Sequence, residues 1–280
     1  MAKELDRFDT NARKNVPLKF KLIGMICGAV FLGVAITGVV ALQVFDRGVM
    51  EQTVTDIGHT ADGAKWILDD WLDTLGGYGD MLASTDHIKG YLSGHDTADS
   101  SEYLKEKAGL CVVDLLAIVD TSGIVVAGYG VKPGYKSSLS MISTVLRGTK
   151  SYAYDEFGDI NYGMISASPV KKDGQLLGAI IIGYDLSSME DDGYVSIVNN
   201  NYAVEATVFK GNIRSATSLG NNLIGTELSN QAIVKQVLYD GIEYQGPNVI
   251  NGIDYYSNYS PLSSSDGKVT GMVLLPNLWL

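Results

Sequence analysis

Cysteine and histidine are scarce in this chain of 280 residues, which holds two cysteines, Cys27 and Cys111, and three histidines, His59, His87 and His95. Two thiols are too few for a disulfide framework or a thiolate metal centre. The histidines are scattered, with no carboxylates clustered around His87 and His95, and leave little from which to build a His-based site. There is no Gly-rich phosphate loop, no nucleophile elbow and no His/Cys metal spacing. The run Glu190-Asp191-Asp192-Gly193 lacks the spaced ligands of a calcium loop and reads as a solvated helix end. The expectation is a protein without catalytic activity, cofactor or metal. Charge is sparse too, at 19% of residues, and mostly acidic: 21 basic against 32 acidic side chains, a net of −11. Nucleic-acid binding, which needs clustered Lys and Arg, is excluded as a general role.

The basic residues that exist are unevenly placed. Residues 1–21 carry a net of +3, from Lys3, Arg7, Arg13, Lys14, Lys19 and Lys21 against three acids, and the remainder carries −14. Between the two regimes lies the uncharged run Leu22–Leu42, LIGMICGAVFLGVAITGVVAL. As a helix, its 21 residues reach roughly 30 Å, the thickness of a hydrocarbon core. Basic residues before it and Asp46 and Glu51 after it place the N-terminus in the cytoplasm and residues 46–280 outside the membrane. A cleaved signal peptide is the competing reading; the run is longer than the usual apolar region, and Val39-Val40-Ala41 is a poor cleavage site. Cys27, preceded by Ile26, reads as a lipid-facing residue and not as a lipoprotein cysteine. Gly24 and Gly28 have the small-xxx-small spacing that lets membrane helices approach.

After the membrane run, Met50, Val54, Ile57, Ala61, Ala64, Leu68, Trp71 and Leu75 recur at alternating spacings of four and three. This heptad pattern predicts a long helix stopped at Gly76-Gly77. Its stripe either packs along the chain's own sheet or forms a homodimer seam, and both readings stay open. His59 beside it reads as a surface residue. A second helical patch covers Met81–Leu92 and a polar loop Ser93–Ser101, with His87 and His95 solvated.

From Leu110 the period changes. Leu115–Val119 and Ile124–Ala127 flank a turn and predict a hairpin, followed by a helix over Ser138–Arg147. Strands are predicted at Ser151–Tyr154, Tyr162–Pro169 and Leu176–Tyr184. The same order then returns: a hairpin of Val204–Phe209 and Ile213–Ala216, a helix at Gln231–Leu238, and strands at Tyr244–Val249, Tyr255–Pro261 and Thr270–Leu275. A shift of 92 residues lays Val145-Leu146 on Val237-Leu238, Tyr152 on Tyr244 and Ser168-Pro169 on Ser260-Pro261; one residue more lays Asp173-Gly174 on Asp266-Gly267 and Gly178 on Gly271. The body reads as two copies of one α+β module, each an antiparallel sheet with helices on one face.

The segments 166–189 (SASPVKKDGQLLGAIIIGYDLSSM), 205–217 (EATVFKGNIRSAT) and 244–272 (YQGPNVINGIDYYSNYSPLSSSDGKVTGM) resemble bacterial Cache sensor domains. With the apolar run and the long helix in front, residues 20–275 resemble the extracytoplasmic region of a double Cache chemoreceptor, a methyl-accepting chemotaxis protein. Sensor histidine kinases and diguanylate cyclases share this layout. The resemblance implies two tandem PAS-like Cache modules stacked on a long helix, with a small ligand held in the distal module between the sheet and its covering loops. It also implies that Asp185, ending the last distal strand, takes a ligand's amine. The chain has Tyr152, Tyr154 and Tyr162 where amino-acid-binding members carry a Tyr, Arg and Trp group, and no Arg-x-Trp pair.

The expected organisation is a basic cytoplasmic head (1–21), a transmembrane helix (22–45), a long helix and helical connection (46–109), a distal module (110–190) and a proximal module (191–280). Tyr152, Tyr154, Tyr162, Ser166, Ser168 and Asp185 are the distal ligand candidates; alternation puts Tyr152 with Tyr154, and Tyr162 with Ser166 and Ser168, on common faces. Each tyrosine is equally an ordinary strand former, and Asp185 equally the N-cap of a helix starting at Leu186–Met189. Arg214, Thr217, Tyr244, Tyr256 and Tyr259 form the weaker proximal set; Arg214 either holds a carboxylate or sits in a structural ion pair. The function expected is ligand sensing by a homodimeric membrane receptor, the ligand being a small molecule such as an amino acid or a carboxylate. The alternative is an anchored binding or adhesion module that relays nothing. The chain stops at Asn277-Leu278-Trp279-Leu280, where a receptor enters its second span, so a fragment or a truncated gene is expected.

Overall fold

The computed structural model describes residues 18–94 and 100–278. Residues 1–17 of the basic head, His95 and the final Trp279-Leu280 lie outside the described residues. The chain divides into two units, residues 1–52 and 53–280, and a helix, α1 (Leu18–Ser84), contributes to both.

In the first unit, Met25–Phe45 forms a 21-residue helical stretch of mean hydropathy 2.5, long and apolar enough to cross a membrane, with none of it buried in the protein. Phe31 is 82% exposed and Cys27 is exposed. A helix apolar on all sides needs an apolar surrounding.

In the second unit, Ile57, Ala61, Ala64, Leu68, Leu75 and Leu82 of α1 are buried. From Ala61 onward this stripe belongs to a core shared with both sheets described below. That part of the stripe is thus taken up by the chain's own core; Val54 is half-buried, and the Met50 side chain lies outside the described residues. The predicted stop at Gly76-Gly77 is corrected: α1 continues to Ser84. Gly76 and Gly79 of this stretch serve close approach. A Cβ on Gly76 would lie 3.1 Å from Lys150 Nζ, and one on Gly79 would lie 2.8 Å from Ser168 Oγ. Thr85 then caps α2 (Asp86–Leu92), its Oγ1 accepting from the Ile88 amide at 3.4 Å. His87 is half-buried against Tyr103 of α3 (Ser100–Cys111), ring centroids 4.0 Å apart, and not solvated as expected; His59 is exposed.

The first antiparallel sheet comprises β1 (Leu115–Asp120), β2 (Val125–Tyr129), β3 (Ser151–Phe157), β4 (Ile160–Lys172) and β5 (Gln175–Asp185), with α4 (Ser140–Val145) before β3. The second comprises β6 (Thr207–Lys210), β7 (Ile213–Thr217), β8 (Tyr244–Ile250), β9 (Ile253–Ser263) and β10 (Val269–Leu278). Helix α5 (Tyr194–Tyr202) precedes the second sheet; α6 (Gln231–Val234), extended by a π-helical turn at Lys235–Tyr239, precedes β8. The strand orders, β2-β1-β5-β4-β3 and β7-β6-β10-β9-β8, are the same under the repeat. Register repeats as well. Gly178 lies opposite Val170 and Asp120, and Gly271 opposite Leu262 and Lys210.

Two local expectations fail. Leu186–Met189 is not helical, and the acidic run at 190–192 precedes a helix instead of ending one, since Gly193 is the N-cap of α5. Carboxylates ahead of a helix N-terminus meet the positive end of its dipole. Nor are the sheets covered on one face only. One face of each packs into the shared core with α1, while Met141, Ile142 and Val145 of α4 cover the other face of the first sheet, and Ile233, Val234 and Val237 cover that of the second.

Candidate functional site

Five of the six distal candidates share a face, the one turned toward α1, while Asp185, paired with Gly163 at the end of β5, has the opposite parity. Tyr154 and Tyr162 lie in the core that contains Leu68 and Leu75, with Tyr152 packed against it. Ser166 and Ser168 follow Tyr162 at even spacing on β4. Ser168 Oγ donates to Asp80 Oδ1 on α1 (2.7 Å), and the buried Tyr162 hydroxyl meets Thr270 Oγ1 (3.3 Å). Both groups are therefore committed to holding the fold. The opposite face, beneath α4, is filled by Leu115, Ala117, Phe157, Ile165, Ala167 and Ile181. A cavity of about 370 Å³ opens at its edge, between the 135–140 segment, β3 and the β9–β10 turn.

Asp185 opens onto a larger cavity, about 480 Å³, on the α1 side. Trp71 of α1 and Tyr184 of β5 wall it with rings 5.1 Å apart, and Lys105, Asp114, Tyr129, Ser188 and Asp192 complete the polar lining. Asp185 caps no helix. Its Oδ1 accepts from the Ser187 amide (2.8 Å) and hydroxyl (2.6 Å), and its own amide donates to Asp114 Oδ2 (2.7 Å). Sequence reasoning missed Asp114; the signal is its place directly ahead of β1, after Val112 with a φ of 52°. The Asp114 residue is exposed overall, yet protein atoms crowd its carboxyl. That desolvation, with the neighbouring charges of Asp185 and Asp192, raises its pKa against the opposing Asp185 amide bond. Burial pushes the Tyr184 phenol up to about 12. Three carboxylates beside an indole and two phenols suit a positively charged ligand group.

Tyr152 and Tyr154 line another cavity, about 400 Å³, between the two sheets. Ala61, Ala64 and Leu68 of α1 and Leu262, Val273 and Leu275 of the second sheet share it.

In the second sheet, Arg214, Phe209, Tyr259 and Tyr244 form a string. The Arg214 guanidinium lies 5.1 Å from the Phe209 ring centre, Phe209 lies 6.3 Å from Tyr259, and Tyr259 6.1 Å from Tyr244. Arg214 is buried, and among the described residues no carboxylate pairs with it; Nη1 donates to Thr226 Oγ1 (2.9 Å) and to the Glu227 carbonyl (3.2 Å), while Nε has no partner. Burial lowers its pKa. The structural ion pair is therefore replaced by an anchor for the loop after β7. Tyr259 OH accepts from Asn248 Nδ2 (2.7 Å), and Tyr244 OH donates to the Pro247 carbonyl (2.8 Å). Thr217 is bonded to Thr207 (2.6 Å), and Tyr256 projects from the opposite face of β9 to Tyr259.

A family model described as single Cache domain 3 matches residues 188–275, the second sheet and its approach. No curated protein matches the chain in sequence. Among solved structures, the chain is similar to the sensor domain of the V. cholerae histidine kinase DctB (TM-score 0.58, 14% identity, covering 82% of this chain and 98% of that one). It is also similar to the sensory domain of the Campylobacter jejuni chemoreceptor Tlp3 (TM-score 0.56, 10% identity, 83% and 96% covered) and to that domain with isoleucine bound (TM-score 0.54, 10% identity, 83% and 95% covered). At these identities the likeness is one of fold. An apolar N-terminal helix followed by two antiparallel sheets is consistent with a PAS-like Cache fold and with a single-pass membrane protein.

Proposed function

We propose that this chain is the extracytoplasmic sensing region of a chemotaxis receptor, which binds a small solute and passes a displacement to its membrane helix without catalysis. In this reading residues 1–21 are cytoplasmic, 22–45 span the membrane, 46–109 form the long helix and its connection, and 110–190 and 191–280 are tandem Cache modules. The observation that carries it is the cavity at Asp185, because a ligand there touches both the end of β5 and Trp71 of α1, the helix that also contains the apolar stretch. A ligand that favours one position of Trp71 biases that helix. The solute best suited carries an ammonium group, as an amine or an amino acid does. With the heptad stripe buried from Ala61 to Leu68, a homodimer would use the outer face of α1, where Trp66 is exposed, or the first turns of the stripe.

Thermal melts of the full chain in detergent micelles against amines, amino acids and carboxylates test the reading. Amine-bearing solutes should raise the melting temperature, and Asp185→Asn should abolish the rise. A panel without any stabilising solute sinks direct sensing. The likeness to the V. cholerae domain favours a second reading, the sensor of a histidine kinase. Downstream reading frame separates the two: methylation helices mark a chemoreceptor, a kinase core the alternative.

A further inference from the structure

The cavity between the two sheets carries chemistry that the Asp185 reading does not use. Its floor is aliphatic, with Leu68 of α1 and Leu262, Val273 and Leu275 of the second sheet. Its rim is charged, with Lys65 and Asp69 exposed on α1 and Glu243 ahead of β8, a net of one negative charge. Glu243 is held in place, its Oε1 accepting from Asn258 Nδ2 at 2.6 Å.

Tyr154 closes the wall nearest the first sheet. The residue is 5% exposed, and its hydroxyl has no hydrogen-bond partner among the described residues. The other two buried phenols of this core are both satisfied, Tyr162 by Thr270 Oγ1 and Tyr194 by the Ala64 carbonyl (3.1 Å). The Tyr154 oxygen is not one of the buried atoms left without a partner; it keeps accessible surface on the cavity, where an arriving group can bond it. Burial first, and then the charge of Asp69, keep the Tyr154 phenol protonated. Its oxygen therefore stays a neutral acceptor for an N–H group.

We propose that this inter-sheet cavity is a second solute site, which takes a short-chain aliphatic amine. The alkyl body lies on the Leu262, Val273 and Leu275 floor, and the ammonium group lies between Asp69, Glu243 and the Tyr154 hydroxyl. The +1 ligand offsets the rim's net −1. Because the walls come from α1, β3, β9 and β10, an occupant fixes the spacing between the sheets and adds an input distinct from the Asp185 cavity.

Isothermal titration of the full chain in detergent micelles with isopentylamine, L-leucine and 4-methylpentanoate tests this, run in the Asp185→Asn background so that failure of one site leaves the other readable. Isopentylamine should bind and 4-methylpentanoate should not. Glu243→Gln and Tyr154→Phe should each weaken the amine about tenfold, the worth of one hydrogen bond to a charged group, and Lys65→Gln should tighten it by removing a like charge. Tyr154→Phe should leave the melting temperature of the ligand-free protein unchanged or higher, whereas a hydroxyl with only a structural role would lower it. Absence of heat with isopentylamine overturns the site. So does carboxylate binding as tight as the amine's, or L-leucine binding tighter than isopentylamine and lost on Lys65→Gln.

Discussion

At the scale of single residues, the repeat is written in positions where a side chain has no room. Gly178 and Gly271 occupy equivalent places on β5 and β10, and a Cβ on either would run into a neighbouring strand's carbonyl, that of Val119 or of Phe209. Neither glycine has a positive φ, so the demand is for space and not for unusual backbone. Backbone cannot swing aside as a flexible side-chain end can. Gly178→Ala and Gly271→Ala are each expected to cost about 1–3 kcal/mol through overpacking, read as a lowered midpoint in denaturant melts with an unchanged slope. Midpoints indistinguishable from the parent would show that the strands can part freely there. The same residues made the duplication visible, because a position that tolerates one residue type survives while its surroundings diverge.

At the scale of elements, glycine also marks the limit of what could be read. Gly76-Gly77 looked like a helix stop, yet α1 runs seven residues further, to Ser84, because its glycines let the helix lie close to Lys150 and Ser168. A lone sequence cannot separate glycine that ends a helix from glycine that a neighbour requires. The two meanings predict opposite effects within one turn. Gly79→Ala should lose about 1–3 kcal/mol, since its Cβ would sit 2.8 Å from Ser168 Oγ. Gly77→Ala, with nothing within 4 Å, should gain about 0.5–1 kcal/mol from helix propensity. Thermal melts giving both variants the same sign would refute this account of the helix–sheet contact. The strands were legible for a related reason: period-2 alternation and Gly turns are local signals, and all ten strands fall within a few residues of their predicted places. The site was legible in part. Alternation grouped Tyr162 with Ser166 and Ser168 correctly, but with both faces of the first sheet buried it could not say which face meets α1. Asp114 escaped because its proximity to Asp185 arises from the pairing of β1 with β5, a contact across about seventy residues.

At the scale of the whole second unit, the two sheets are joined by a strand edge and a turn. The outer edge of β3 would expose unpaired amides and carbonyls. Here the β9–β10 turn covers it: Tyr154 N donates to Ser264 Oγ (3.0 Å), Tyr152 N to Ser265 Oγ (3.2 Å), and Ser265 N to the Tyr152 carbonyl (3.1 Å). Ser140 at the start of α4 donates to Asp266 Oδ2 in the same turn (2.5 Å). That hydroxyl bond, and then the Lys268 amide, hold the Asp266 carboxyl below its ordinary value. A depressed folded pKa stabilises above the unfolded value, near 3.9 for an aspartate, and the contribution disappears as pH falls through the folded value. Asp114 has the opposite sign: its raised pKa means that acid relieves the crowding of carboxylates around Asp185. Acid should therefore loosen the contact between sheets while easing strain in the Asp185 cavity. Below about pH 4, amide exchange at Tyr152 and Tyr154 should accelerate before exchange in β1 and β5 does, and Ser140→Ala should blunt that pH dependence. Exchange that rises uniformly across the first sheet would mean that the turn is not what holds the sheets together, and that a solute between them has no separate contact to set.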